Sequence, residues 1–114
     1  MSDLEMTTVE AAGTAVVRLT GTCDLRSHDA LTSTLLAAVR TAPVVAVDLA
    51  GVTFIDSSNL QALVAAHLAA RETGRNLYVV NATGSVATML EITGVIELLA
   101  PPPGPRESAE NRDG

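Results

Sequence analysis

The chain has no lysine and no tryptophan, and only one cysteine, one phenylalanine and one tyrosine. Each scarcity removes a class of function. Without lysine there is no P-loop, no Schiff base and no lysine-dependent receiver switch. The seven basic residues are all arginines, scattered along the chain, against 13 Asp and Glu, for a net charge of −6. Binding a phosphate backbone needs clustered Lys and Arg, and Phe54 and Tyr78 are too few for a base-stacking surface. Direct nucleic-acid binding is therefore not expected. With Cys23 alone, neither an internal disulfide nor a thiolate zinc cage can form, which fits a reducing cytosol. The opening Met1-Ser2-Asp3-Leu4-Glu5 is acidic where a signal peptide is basic. No apolar run approaches the roughly 18 residues of a membrane span. The richest, 60–70, contains Gln61 and His67. The expectation is a small cytoplasmic protein with no membrane insertion.

The 114 residues are 47% apolar and 18% charged, enough to bury one real core. One boundary stands out. Residues 101–114 hold four of the five prolines and no large apolar side chain. Such a segment buries too little surface to offset its ordering entropy. The expected organisation is a folded domain over 1–100 and a Pro-rich disordered tail over 101–114.

Two apolar periods alternate within the domain. Leu4 to Val9 and the β-branched Thr14 to Thr20 read as strands. Ser27 can cap a helix that carries Leu31, Leu35, Ala38 and Val39 at helical spacing and stops before Pro43. Val44 to Leu49 is a near-continuous apolar run, the pattern of a strand covered on both faces. A second helix runs from about Ser57 to Thr73, with Leu60, Leu63, Val64, His67 and Leu68 on one stripe, and Gly74 stands where a terminating glycine belongs. Leu77 to Val80 reads as another buried strand. Ser85 can cap a third helix ending at Gly94, and Val95 to Leu99 reads as a last short strand. This order implies an α/β domain: a mixed, mostly parallel sheet of four or five strands with about three main helices packed on it.

Materials for catalysis are scarce. There is no GxGxxG, GxSxG, HxxxH or CxxC pattern. His67 lies on an apolar stripe and reads as a packed or edge-exposed histidine rather than a metal ligand, while His28 beside Asp29 reads as solvated. Cys23, at a strand end, reads as a small hydrophobe rather than a redox switch. No catalytic residue, metal site or cofactor is expected. One segment stands apart. Asp56, Ser57 and Ser58 follow the central strand and come just before the apolar stripe of the second helix. Asp and Ser are preferred N-caps, so these residues suffice as a cap. They also sit at the end of the sheet where α/β domains present functional loops.

The stretch DLAGVTFIDSSNLQALV, residues 48–64, resembles the signature of the STAS domain family of bacterial anti-sigma factor antagonists. Two other segments are similar to the family in order and spacing: Arg18-Leu19-Thr20-Gly21-Thr22-Cys23-Asp24, and Met89-Leu90-Glu91-Ile92-Thr93-Gly94-Val95. The resemblance implies a STAS-like fold over nearly all of residues 4–100 and a binding module rather than an enzyme. It implies a phospho-acceptor at Ser57, with Ser58 as the alternative, and a partner face of Asp24, Asp56, Ser57, Ser58 and Asn59. The implied partners are an anti-sigma factor with serine kinase activity and a phosphatase that resets the switch. The chain departs from the family in having Asn59 and Gln61 where glycine is usual. The alternative is a STAS docking module in a sensory or lipid-transport complex, used without phosphorylation. A small α/β enzyme is the third reading, and the missing lysine, scarce histidine and single cysteine speak against it.

Overall fold

The computed structural model describes residues 4–102. The tail expected over 101–114 lies outside the described residues from position 103 onward. Strands β1 (Leu4–Ala11) and β2 (Thr14–Cys23) form an antiparallel hairpin. A 3-10 turn, Leu25–Ser27, leads into α1 (His28–Thr41). Then come β3 (Val44–Ile55), α2 (Ser57–Glu72), β4 (Asn76–Val80) and α3 (Gly84–Ile92). The four strands lie in sequence order in one mixed sheet, with β2–β3 and β3–β4 parallel.

Alternation along the strands sets the core. The registers Ala15↔Val45↔Leu77 and Val17↔Val47↔Val79 put these side chains on one face, and all are buried. Helix α1 packs on β2 and β3, α2 packs on β4 and on α1, and α3 packs on β3. Their buried stripes are Leu31, Leu35, Ala38 and Val39 on α1; Leu60, Leu63, Ala66 and Ala70 on α2; and Val86 and Leu90 on α3. His67 is buried among them, and its Nδ1–H donates to the Leu77 carbonyl at 2.6 Å, tying α2 to β4. Helix α2 ends in a Schellman motif: Gly74 N–H donates to Arg71 O and Arg75 N–H to Ala70 O, with Gly74 at φ +75°. At Gly51 a Cβ would lie 2.9 Å from Thr20 Oγ1, so glycine permits the close β2–β3 approach where the register shifts.

Three local expectations are corrected. Val95–Leu99 is not a fifth strand. Leu99 N–H donates to Val95 O, closing a helical turn, and only the Leu99 carbonyl meets the free edge of β4, by accepting from Val79 N–H at 2.8 Å. The apolar run there supplies a plug: Leu99 is fully buried. Ser27 makes no side-chain cap to α1; the chain turns earlier, with Asp24 as N-cap of the 3-10 turn. Ser85 does not cap α3, which starts at Gly84, and its hydroxyl donates to Thr53 O.

Candidate functional site

The site forms where β2 and β3 end and α2 begins. Asp56 has extended backbone and is the N-cap of α2, its Oδ1 accepting from Asn59 N–H at 2.9 Å. Its own N–H donates to Cys23 O, the last residue of β2, at 3.0 Å. One residue on, Asp24 forms a reciprocal capping box with Ser27: the Asp24 N–H donates to Ser27 Oγ at 3.1 Å, and the Asp24 carboxylate accepts from backbone N–H groups of the turn, Arg26 N–H among them at 3.0 Å. Ser27 Oγ in turn donates to Asp24 O. Two aspartate-capped turns, from strands adjacent in the sheet, thus stand side by side.

The two serines differ in what their hydroxyls do. Ser58 is half-buried and donates to Asp56 Oδ1 at 2.9 Å. Ser57 is exposed, and its hydroxyl has no hydrogen-bond partner among the described residues. They also face different grooves. Ser57 lines one of about 190 Å³ with Leu60, Val64, Thr93 and Val95, beside the end of α3. Ser58 lines another of about 300 Å³ with His28, Thr32 and Ala62, beside the start of α1. Gln61 borders both.

Asn59, counted with the partner face in the sequence reading, is 0% exposed. Its Nδ2 donates to Asp24 O at 2.9 Å and to Asp56 Oδ1 at 2.8 Å, so it joins the two turns from within. Arg26 is the cation beside them, donating to Asp24 Oδ2 from Nη2 at 2.9 Å and Nε at 3.3 Å. Neither contact is evident from the sequence pattern alone. The Asp24-x-x-Ser27 spacing was the available signal for a turn opening at Asp24.

The electrostatics follow from these bonds. Arg26 above all, with help from the Ser27 backbone, holds the Asp24 carboxyl below its ordinary value. For Asp56, burial is the largest influence and pushes upward, but the bonds from Asn59 and Ser58 outweigh it and the net shift is downward. Both groups are carboxylates at neutral pH. Burial, then the nearby Asp56 and Asp24 charges, push the Cys23 thiol up to about 11. Among the described residues no cluster of three His, Cys, Asp or Glu is placed to hold a metal ion. No helix among them is long and apolar enough to cross a membrane.

A second polar network lies across the sheet from this site. Asp48 on β3 is buried and accepts from Ala50 N–H at 3.0 Å, Asn81 Nδ2 at 3.1 Å and Arg18 Nε at 3.3 Å. Asn81 takes the left-handed φ of +63° that this contact uses. Arg18 and Asp48 belong to the sequence motifs, and their joint role is to bind β2, β3 and the end of β4 together.

The family model described as "Mlab, STAS domain" matches residues 6–100. No curated protein sequence is similar enough to count as a relative. Among solved structures, an anti-sigma factor antagonist from Mycobacterium paratuberculosis superposes with a TM-score of 0.72 at 23% identity, over 95% of this chain and 92% of that one. The unphosphorylated anti-sigma factor antagonist SpoIIAA gives 0.73 at 14% identity, over 96% and 97% of the two chains. A sulfate transporter family protein from Wolinella succinogenes gives 0.68 at 22% identity, over 81% and 75%. At these identities the likeness is one of fold.

Proposed function

Because the chain belongs to the STAS domain family, we propose that it is an anti-sigma factor antagonist, a cytoplasmic binding module switched by phosphorylation of Ser57. In this reading the unmodified protein docks an anti-sigma factor with serine kinase activity through the first turn of α2, and so regulates sigma-factor-dependent transcription. The kinase modifies Ser57, the complex parts, and a phosphatase resets it. The observation that carries the reading is the contrast between the exposed, unengaged Ser57 hydroxyl and the Ser58 hydroxyl held by Asp56. The solved antagonists that share the fold, SpoIIAA among them in a phosphorylated form, support it.

Charge is the mechanism. A phosphate adds about −1.5 to −2 charges at the helix N-terminus. The helix dipole tolerates them, so the fold survives. A partner packed on this face instead meets a bulky dianion beside Asp24 and Asp56, and like charges juxtaposed across an interface cost several kcal/mol. Since about 1.4 kcal/mol is tenfold in affinity, binding falls by orders of magnitude with no refolding.

The test is incubation with candidate anti-sigma kinases and ATP, mass spectrometry to locate the modified residue, and binding assays on variants. Ser57→Ala is expected to keep partner binding, since it removes no hydrogen bond of the site. Phosphorylated Ser57 is expected to bind at least about 100-fold more weakly. Modification at Ser58 would move the acceptor and keep the mechanism. If no kinase modifies either serine and Ser57→Asp binds like wild type, the switch reading fails. The second reading, a docking module of a sensory or lipid-transport complex used without phosphorylation, draws support from the sulfate transporter family protein that shares the fold.

A further inference from the structure

We infer that Asn59 is the positioning residue of the acidic face: its side-chain amide locks the Asp24–Ser27 turn onto the first turn of α2 and holds Asp24, Asp56 and Ser57 in one preformed arrangement. The side chain is 0% exposed, so it acts through its neighbours and never touches a partner itself. A primary amide has two N–H donors, and both are used here, one on Asp24 O and one on Asp56 Oδ1. The first reaches a turn 35 residues earlier in the chain; the second stays within the cap of its own helix.

The two acceptors are the hubs of their turns. Asp24 O also takes Ser27 N–H at 3.0 Å and Ser27 Oγ at 2.9 Å. Asp56 Oδ1 also takes Asn59 N–H and Ser58 Oγ, each at 2.9 Å. One side chain therefore fixes both hubs, and through Asp56 it holds the Ser58 hydroxyl in place. The backbone bond from Asp56 N–H to Cys23 O sets the spacing of the two strand ends, and the Asn59 amide adds the side-chain bond from α2 to the Asp24 turn itself.

The other end of the amide points to the same role. Asn59 Oδ1 is buried and has no hydrogen-bond partner among the described residues. A buried carbonyl left unpaired opposes folding. The side chain thus offsets at one end much of what it contributes at the other. Its effect on global stability should be small, and its effect on local geometry large. A packing residue would behave the opposite way.

A preformed face spares a partner the ordering of two loops on binding, which favours a tight complex. That consequence rests on the reading given above; the positioning itself is tested on the free protein. In Asn59→Ala, the melting temperature should stay within about 4 °C of wild type. Amide exchange at Arg26 and Ser27 should speed up about tenfold or more as the turn comes loose. The Asp56 carboxyl, followed by NMR, should titrate at higher pH than in wild type, because one donor to the carboxylate is gone. Asn59→Asp keeps the shape but removes both donors at neutral pH and sets a carboxylate against Asp56, so it should loosen the turn further. Unchanged exchange and an unchanged Asp56 midpoint in both variants overturn the assignment. So does global unfolding of Asn59→Ala, which would make Asn59 a packing residue. A failed kinase experiment leaves these readouts untouched, so the two proposals fail separately.

Discussion

Adjacent residues of the same type have different chemistry here because a helix start turns them to different sides. Ser57 looks to the groove beside α3 and stays open, while Ser58 looks toward α1 and is held by the cap. Cys23 is decided in the same way, by position. It is fully buried, and burial with the Asp56 and Asp24 charges pushes its thiol up to about 11. Only the thiolate is a nucleophile. Iodoacetamide at neutral pH should therefore label the native protein at least about a hundred times more slowly than the denatured chain, as read by intact-mass kinetics. Equal rates would mean that the face opens readily. Much at this scale was legible in the sequence. Asp56 as N-cap follows from an Asp-Ser-Ser run in front of an apolar stripe, Cys23 as a small hydrophobe follows from its place at a strand end, and the helical stripe left His67 as packed or edge-exposed, of which the structure shows the packed form. Asn59 was not legible: an amide inside a polar run reads as surface until the chain 35 residues away is brought beside it.

At the scale of elements, period and punctuation carried the strands and helices. The apolar stripe and the glycine stop place α2, and its observed end differs from the expected one by a single residue. Val95–Leu99 shows the limit. A short apolar run reports burial and says little about backbone geometry. Here the run is a turn, ending in a plug whose carbonyl covers one N–H of the β4 edge. The initial turn was missed for a related reason: 3-10 geometry shifts the cap three residues ahead of the α-helix and has no apolar period of its own. Leu99→Ala should lower unfolding free energy by about 2–5 kcal/mol, the range for a fully buried leucine, measured by urea denaturation. A loss below about 1 kcal/mol would show that the last turn is not part of the cooperative core.

For the molecule as a whole, acid is the informative variable. Asp24, Asp48 and Asp56 are all held below their ordinary value of 3.8, Asp48 chiefly by the Ala50 N–H. A carboxyl depressed in the folded state contributes stability that is complete above its unfolded value and is lost as pH falls through the folded one. The urea midpoint should therefore hold steady from neutrality down to about pH 5 and drop below about pH 4. Asp48→Asn should make that drop shallower. A midpoint that is flat down to about pH 3 would contradict the network geometry. Finally, the sheet has a consequence for the order in which it is made. Its β1–β2 hairpin is local, but every rung between β2 and β3, from Thr14↔Val44 to Cys23↔Ile55, joins residues about thirty positions apart. The hairpin can zip on its own, whereas the parallel ladder has to wait until α1 has closed the crossover. Assembly of the domain is thus governed by a slow, non-local step passed once. In the switch proposed for Ser57, modification and reset would cycle many times afterwards without that step being repeated.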